Sequence, residues 1–224
     1  MNRTLILGYG LLGKELVKQS SWNYVSKSKD KNFNFTDIQS YKELISKYDT
    51  IINCIGCTST YSTDRDKHWK VNYKAVADLV DICNANNQKL VHISTDYLYS
   101  GSNENATEND VPVHNKTWYG YSKLLGDAHV QLKSDNYLII RSGHKAYPFI
   151  YDTAFEDIIG NFDYVNKIAE LIINLIKNNE TGIRNVGTKL KSMYNLALVT
   201  KPSIKKSKCN NDLMPKNVSM RIKK

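Results

Sequence analysis

The chain has 224 residues, 41% of them hydrophobic and 24% charged, with a formal net charge of +9. That length supports one good core and a small second lobe, and no apolar run approaches the roughly 18 to 20 residues that span a bilayer, so a soluble, cytoplasmic protein with no membrane partner and no signal peptide is expected. Much of the basic excess falls in the last 24 residues without interleaved aromatics to stack bases, which argues against a nucleic-acid partner, and Cys54, Cys57, Cys83 and Cys209 lack the spacing of a disulfide framework.

Residues 4–7 form a short apolar run that reads as a buried strand, and Gly8-Tyr9-Gly10-Leu11-Leu12-Gly13 follows it at the start of an amphipathic helix over residues 10–19. In that setting Gly8 permits a tight turn, Gly10 lets a pyrophosphate approach the backbone, and Gly13 lets the helix pack on the strand, which points to a bound dinucleotide. The second strand, residues 22–26, does not end in the acidic residue that would bind an adenosine ribose 2′-hydroxyl. Ser26-Lys27-Ser28-Lys29 offers hydroxyl and ammonium groups instead, favouring NADPH over NADH.

Residues 32–35 read as a third strand, and Asp37 behind them either accepts from an adenine amino group or caps the next helix, residues 38–47. Residues 50–55 read as a fourth strand that ends in Asn53-Cys54-Ile55-Gly56-Cys57, with a small residue where a cofactor passes close to the backbone. The Cys-x-x-Cys spacing also occurs in zinc and dithiol sites. Here the other cysteines are isolated, the histidines are scattered and the pair follows a strand, so no metal is expected.

A helix over residues 68–87 carries Val71, Ala75, Leu79 and Ile82 at three and four spacing. The strand at residues 89–94 delivers Thr95-Asp96-Tyr97, and the helix at 118–133 contains Tyr119 and Lys123, four apart and therefore on one face. Of the 15 tyrosines, Tyr119 alone has lysine at plus four. Reduction of a ketone needs a proton at oxygen as hydride reaches carbon; Tyr119 can deliver it if Lys123 lowers the phenol pKa, while Thr95 hydrogen-bonds the same oxygen.

A sixth strand at residues 136–141 completes an alternation of strands and helices that predicts an α/β fold, a Rossmann-type doubly wound parallel sheet over residues 1–143. Beyond that the pattern loosens. Residues 144–161 are mixed, a helix is expected at 164–178 with Asn179-Glu180-Thr181-Gly182 as its stop, then a strand at 183–186 and a helix at 192–198. Residues 144–224 are too few for an independent core and are expected to form a reduced substrate-binding lobe leaning on the first domain.

The glycine turn, Asn53-Cys54-Ile55-Gly56, His92-Ile93-Ser94-Thr95-Asp96-Tyr97 and Tyr119-Gly120-Tyr121-Ser122-Lys123 together resemble the extended short-chain dehydrogenase/reductase superfamily, and within it the dTDP-4-dehydrorhamnose reductase family. The resemblance covers residues 3–143 and continues in Phe162-Asp163-Tyr164-Val165, Thr181-Gly182-Ile183-Arg184-Asn185-Val186-Gly187 and Pro215-Lys216-Asn217-Val218-Ser219. It implies an NADPH-dependent reductase of a nucleotide-activated 4-keto-6-deoxy sugar, with Thr95, Tyr119 and Lys123 catalytic. It also implies that Gly10, Leu11, Leu12, Asp37, Ile38, Ile55, Gly56 and Cys57 line the cofactor and that Asp96 approaches the sugar. A homodimer is left open by the sequence. Related dehydratases carry Asp-Glu after the strand threonine, because eliminating water needs a further acid and base; here Asp96 is followed by Tyr97.

Two departures stand out. Arg141-Ser142-Gly143-His144 puts histidine where the family has an aromatic wall of the sugar pocket, and the stretch from His144 to Tyr164 is short. A bifunctional 3,5-epimerase/4-reductase and a non-catalytic NADP-binding regulatory subunit are the alternatives left standing.

Overall fold

The structure, a computed structural model, describes residues 3–102, 104–110 and 116–223. In chain order its elements are β1 (Thr4–Leu7), α1 (Leu11–Ser20), β2 (Asn23–Val25), α2 (Lys42–Ile45), β3 (Thr50–Asn53), α3 (Arg65–His68), α4 (Ala75–Ala85), β4 (Lys89–Ile93), α5 (Trp118–Lys133) and β5 (Tyr137–Ser142). There follow β6 (His144–Lys145), β7 (Thr153–Phe155), β8 (Ile159–Gly160), β9 (Asp163–Tyr164), α6 (Val165–Lys177), β10 (Gly182–Val186), β11 (Lys191–Ser192), α7 (Met193–Leu198), β12 (Lys205–Ser207) and β13 (Asn217–Val218).

Six parallel strands in the order β10-β5-β4-β3-β1-β2 form the central sheet. The alternation of residues along each strand decides which helices cover which face. Leu5, Leu7, Ile51, Leu90 and Ile139 pack with Ala75, Val76 and Leu79 of α4, whereas Ile6, Ile52, Val91, Leu138 and Ile140 pack with Leu16 of α1 and Ile168, Ala169 and Ile172 of α6. This is the expected Rossmann-type α/β fold. Its strand order reverses at β1, between β2 and β3, and a parallel sheet opens its ligand crevice at the carboxyl ends beside such a reversal.

The division expected at residue 143 is crossed by the chain. Helix α6 and strand β10 come from beyond it, yet α6 buries its apolar stripe on the sheet and β10 extends the sheet past β5, in register Ile183↔Ile139. What remains of the chain's last third forms a small lobe of paired short strands around Phe149, Ile158, Phe162, Tyr164, Leu196 and Ile204.

Residues 32–35 are not a strand. Phe33 and Phe35 do alternate inward and are buried, but their backbone closes turns, Phe33 N–H to Asp30 O at 3.2 Å and Asp37 N–H to Asn34 O at 2.9 Å. Alternation reports which side chains are buried; a ladder also needs a partner. The sheet therefore counts the run ending at Asn53 as its third strand in sequence, not its fourth. The helix expected at residues 38–47 is likewise a 3-10 turn, Ile38–Ser40, followed by the single turn of α2.

The helix expected at residues 68–87 starts at Arg65 and contains a π-helical segment, Trp69–Lys74, before α4. The wider turn packs closely against α5: a Cβ on Gly126 would fall 2.3 Å from the Asn72 carbonyl oxygen. Glycine is required there by the approach of two backbones.

Candidate functional site

The first part of the site is the glycine turn. Gly8 has φ of +100°, and its N–H donates to Val25 O at 2.8 Å. A Cβ on Gly13 would meet Gly8 O at 2.2 Å, so α1 can lie against β1 only because that residue has no side chain. At Gly10 a Cβ would meet nothing within 4 Å. Gly10 is the N-cap of α1 and, having no side chain, supplies no side-chain partner for the helix's first N–H groups at the positive end of the helix.

Two cavities meet at this turn. One, of about 390 Å³, is lined by Gly8, Tyr9, Gly10, Ser26, Lys27 and residues 33–36; the other, of about 350 Å³, runs past Leu11 and Leu12 to Ile93, Ser94, Tyr119, Lys123 and His144. Both share Gly10, Cys54, Ile55 and Gly56, so they form one cleft along the carboxyl ends of β1, β3 and β4. A cavity of about 440 Å³ at the β10 edge, lined by Leu171, Arg184 and Lys223 among others, contains none of the expected site residues.

Within the first cavity the expected residues separate. Ser26 and Lys27 line it, while the Lys29 ammonium turns away to Tyr24 O at 3.2 Å and the Tyr24 ring at 4.1 Å. Asp37 and Ile38 do not line it: the Asp37 carboxylate accepts from Gln39 N–H at 3.1 Å as the cap of the 3-10 turn. Of the two roles open to Asp37 in the sequence, this geometry displays the cap.

The loop after β3 is held from below by two buried amides, Asn53 and Asn72. Asn53 Oδ1 accepts from Ile55 N–H at 3.0 Å, and Asn72, projecting from the π-helical turn, accepts from Cys57 N–H at 2.7 Å and donates to Cys57 O at 3.1 Å and to Ser122 Oγ at 3.0 Å. The signal was present: His68 and Asn72, four apart, continue the buried face of Val76 and Leu79 with polar groups, and a buried amide on an apolar face is there to hold backbone. Burial pushes the Cys54 thiol up to about 12, so it is a protonated, small packing group. Cys57 Sγ lies 4.0 Å from His68 Nε2.

Strand β4 and helix α5 bring the remaining groups together. Thr117 caps α5 by accepting from Gly120 N–H at 3.1 Å, which sets Tyr119 and Lys123 on the face toward β4. Thr95 caps the following 3-10 turn and donates to Asp96 Oδ1 at 3.2 Å. The Tyr119 ring sits edge-on to Tyr97 at 5.8 Å and to His68 at 6.4 Å. Lys123 Nζ donates to Ile93 O at 2.6 Å.

The electrostatics differ from the sequence expectation. Burial raises the Tyr119 phenol to about 12, against a hydrogen-bonding contribution of the Thr95 hydroxyl that pulls it down, with Asp96 and Cys57 adding to the rise. Lys123 is not among the groups that set it. The ammonium is itself lowered to about 8 by burial, opposed by Asp127 and Cys54. The phenol therefore keeps its proton through neutral pH, as an unperturbed phenol also does, and the lowered pKa expected of it is not displayed. Asp96 is raised by burial, with Lys145 and Thr95 acting the other way, and the bare Cα of Gly143 packs on it: a Cβ there would fall 2.2 Å from Asp96 Oδ2.

Beneath these groups the Arg141 guanidinium is paired with Asp127 at 3.0 and 3.1 Å and donates to Tyr99 Oη at 2.8 Å, while Ser94 Oγ donates to Asp127 at 3.0 Å. All four side chains are buried. Their network fixes α5, and with it Tyr119, on the ends of β4 and β5.

The model of the RmlD substrate binding domain family matches residues 2–148, about two thirds of the chain. The chain belongs to that family. Among its relatives, the spore coat polysaccharide biosynthesis protein SpsK of Bacillus subtilis is 29% identical over 205 residues, covering 80% of this chain and 71% of that protein. A hypothetical dTDP-4-dehydrorhamnose reductase from Sulfolobus tokodaii superposes with a TM-score of 0.82 at 28% identity, over 98% of this chain and 92% of that one. A Bacillus anthracis dTDP-4-dehydrorhamnose reductase, solved in complex with NADP, superposes with a TM-score of 0.84 at 22% identity, over 99% of this chain and 91% of that one. Among the described residues of this RmlD-family chain, no helix is long and apolar enough to cross a membrane.

Proposed function

We propose that the protein is an NADPH-dependent reductase of a nucleotide-activated 4-keto-6-deoxy sugar, and that Tyr119, Thr95 and Lys123 carry the chemistry. The observation that carries this reading is the placement of Tyr119 and Lys123 together on the wall of a cavity that begins at the glycine turn. Membership of the RmlD family supports it, as do the relatives named as dTDP-4-dehydrorhamnose reductases, one of them holding NADP.

The cleft fits a dinucleotide on this chain's own features: the open space over Gly10, the uncapped N–H groups of α1 and the paired cavities. Gly8, Gly10, Leu11 and Leu12 would hold the pyrophosphate, with Gly13 letting the turn close on the helix behind it, and Ile55 and Gly56 would border it from the opposite strand, while Cys57, held by Asn72, lines neither cavity. Ser26 and Lys27, which line the adenosine end, suit a 2′-phosphate and so favour NADPH over NADH. When bound, the reduced nicotinamide supplies hydride.

Every other element of the reaction belongs to the chain. Tyr119 Oη gives its proton to the substrate oxygen, Thr95 orients that oxygen, and Lys123, anchored on Ile93 O, keeps a cationic group beside the site. Asp96, next to Thr95, is the residue given to the sugar. Purified protein given NADPH and a thymidine- or uridine-linked 4-keto-6-deoxyhexose should lose nicotinamide absorbance, and Tyr119→Phe should lower kcat/KM by about 10²- to 10⁴-fold. A Phe variant as fast as wild type would refute the role given to Tyr119.

A further inference from the structure

We propose that His144 is a cofactor-recognition residue whose imidazole donates a hydrogen bond from Nε2 to the carboxamide of a bound nicotinamide. The proposal rests on the NADPH reading and assigns His144 to the cofactor rather than to the sugar wall that the sequence comparison implied. His144 lines the same cavity as Gly10, Leu11 and Leu12 at one end and Tyr119 and Lys123 at the other, and a nicotinamide reaching Tyr119 from the glycine turn has to pass it.

Its backbone is fixed on both sides. Strand β6 pairs with β9 in the register His144↔Asp163, and Asp163 is held by Lys191 Nζ at 2.7 Å and by its own contact with Tyr164 N–H at 2.7 Å. Gly143, just before, is pressed on Asp96. Successive strand residues project to opposite sides, so with Lys145 facing Asp96 and the Phe162 ring, which its ammonium approaches to 5.8 Å, His144 faces the cavity.

The ring's hydrogen bonding then fixes what it offers. Nδ1 is sealed from solvent with no partner among the described residues, leaving Nε2 as the nitrogen for the cavity. A buried lone pair without a donor is tolerated more readily than a buried N–H without an acceptor, so the proton sits on Nε2 and the cavity meets a donor. Burial and the neighbouring Lys145 hold the ring pKa down at about 4, so the ring is neutral at ordinary pH. Of the other polar side chains along this wall, Ser94 Oγ is committed to Asp127, Lys123 Nζ gives one of its three N–H groups to Ile93 O, the Tyr119 phenol is assigned to the substrate oxygen, the Cys54 thiol is a weak donor and Thr58 stands at the exposed mouth. The carboxamide oxygen is the acceptor that a nicotinamide carries to this depth.

Binding distinguishes the proposal from a general effect on the fold. NADPH affinity, read by its fluorescence, is compared with that of 2′-phospho-ADP-ribose, which lacks the nicotinamide, for wild type, His144→Phe and His144→Gln. Loss of one neutral hydrogen bond should weaken NADPH binding by about three- to tenfold in His144→Phe and leave 2′-phospho-ADP-ribose within about twofold, with His144→Gln recovering part of the loss through its amide donor. Unchanged NADPH binding in His144→Phe, or equal weakening of both compounds, would overturn the assignment. Wild-type protein that binds neither compound would overturn the NADPH reading, and this inference with it.

Discussion

Tyr119 lies between the rings of Tyr97 and His68 with the Thr95 hydroxyl at its phenol, and burial, not a neighbouring charge, decides its protonation. The spacing of Tyr119 and Lys123 was legible because four residues of helix fix a shared face. Their electrostatic relation was not, because it depends on where the ammonium finds an acceptor, and Ile93 O belongs to a strand 30 residues away. Lys123 carries a consequence for stability. Its pKa falls from 10.5 to about 8 in the folded chain. Between those values the unfolded chain binds a proton that the folded one has released, so this group makes stability rise with pH from about 8 to about 10.5. Urea midpoints at both ends of that window should show the rise in wild type relative to Lys123→Met; parallel behaviour of the two proteins would contradict the assignment.

At the scale of elements, α5 was read with its observed limits since Thr117 caps one end and its apolar residues keep one period. The π-helical turn at Trp69–Lys74 left no such trace: periodicity cannot report one added residue per turn, although the buried polar pair His68 and Asn72 marked the place. Residues 32–35 misled in the opposite direction, their inward phenylalanines copying a strand in a segment that only turns. What holds α5 in place is the Arg141–Asp127 pair, both side chains at most 2% exposed. Removing one partner strands a buried charge, so Asp127→Ala should cost about 3 to 5 kcal/mol in urea denaturation, whereas replacing both by apolar residues of similar volume should cost less. A double variant as unstable as the single one would show that the network's hydrogen bonds, not the unpaired charge, dominate.

Across the whole molecule, the alternation of strands and helices made the doubly wound sheet readable, and the glycine turn located its crevice. The destination of the last third was not readable. Helix α6 returns to cover the sheet beside α1, β10 extends the edge, and strands of two residues such as β6, β8 and β9 have no period to detect. Strand β6, with Gly143 just before it, nevertheless brings His144 and Lys145 to the carboxyl end of the sheet, next to Asp96 and the cavity that Tyr119 lines. Cofactor turn, proton donor and lobe thus converge on one cleft, and the proposed hydride transfer to a sugar ketone is the claim that unites them. NADPH carrying deuterium at both C-4 positions of its nicotinamide, incubated with the protein and a thymidine- or uridine-linked 4-keto-6-deoxyhexose, tests it most directly by NMR of the sugar product. The account predicts deuterium on the sugar carbon that bore the ketone; a reduced product without that label, or no product from either nucleotide sugar, would contradict it.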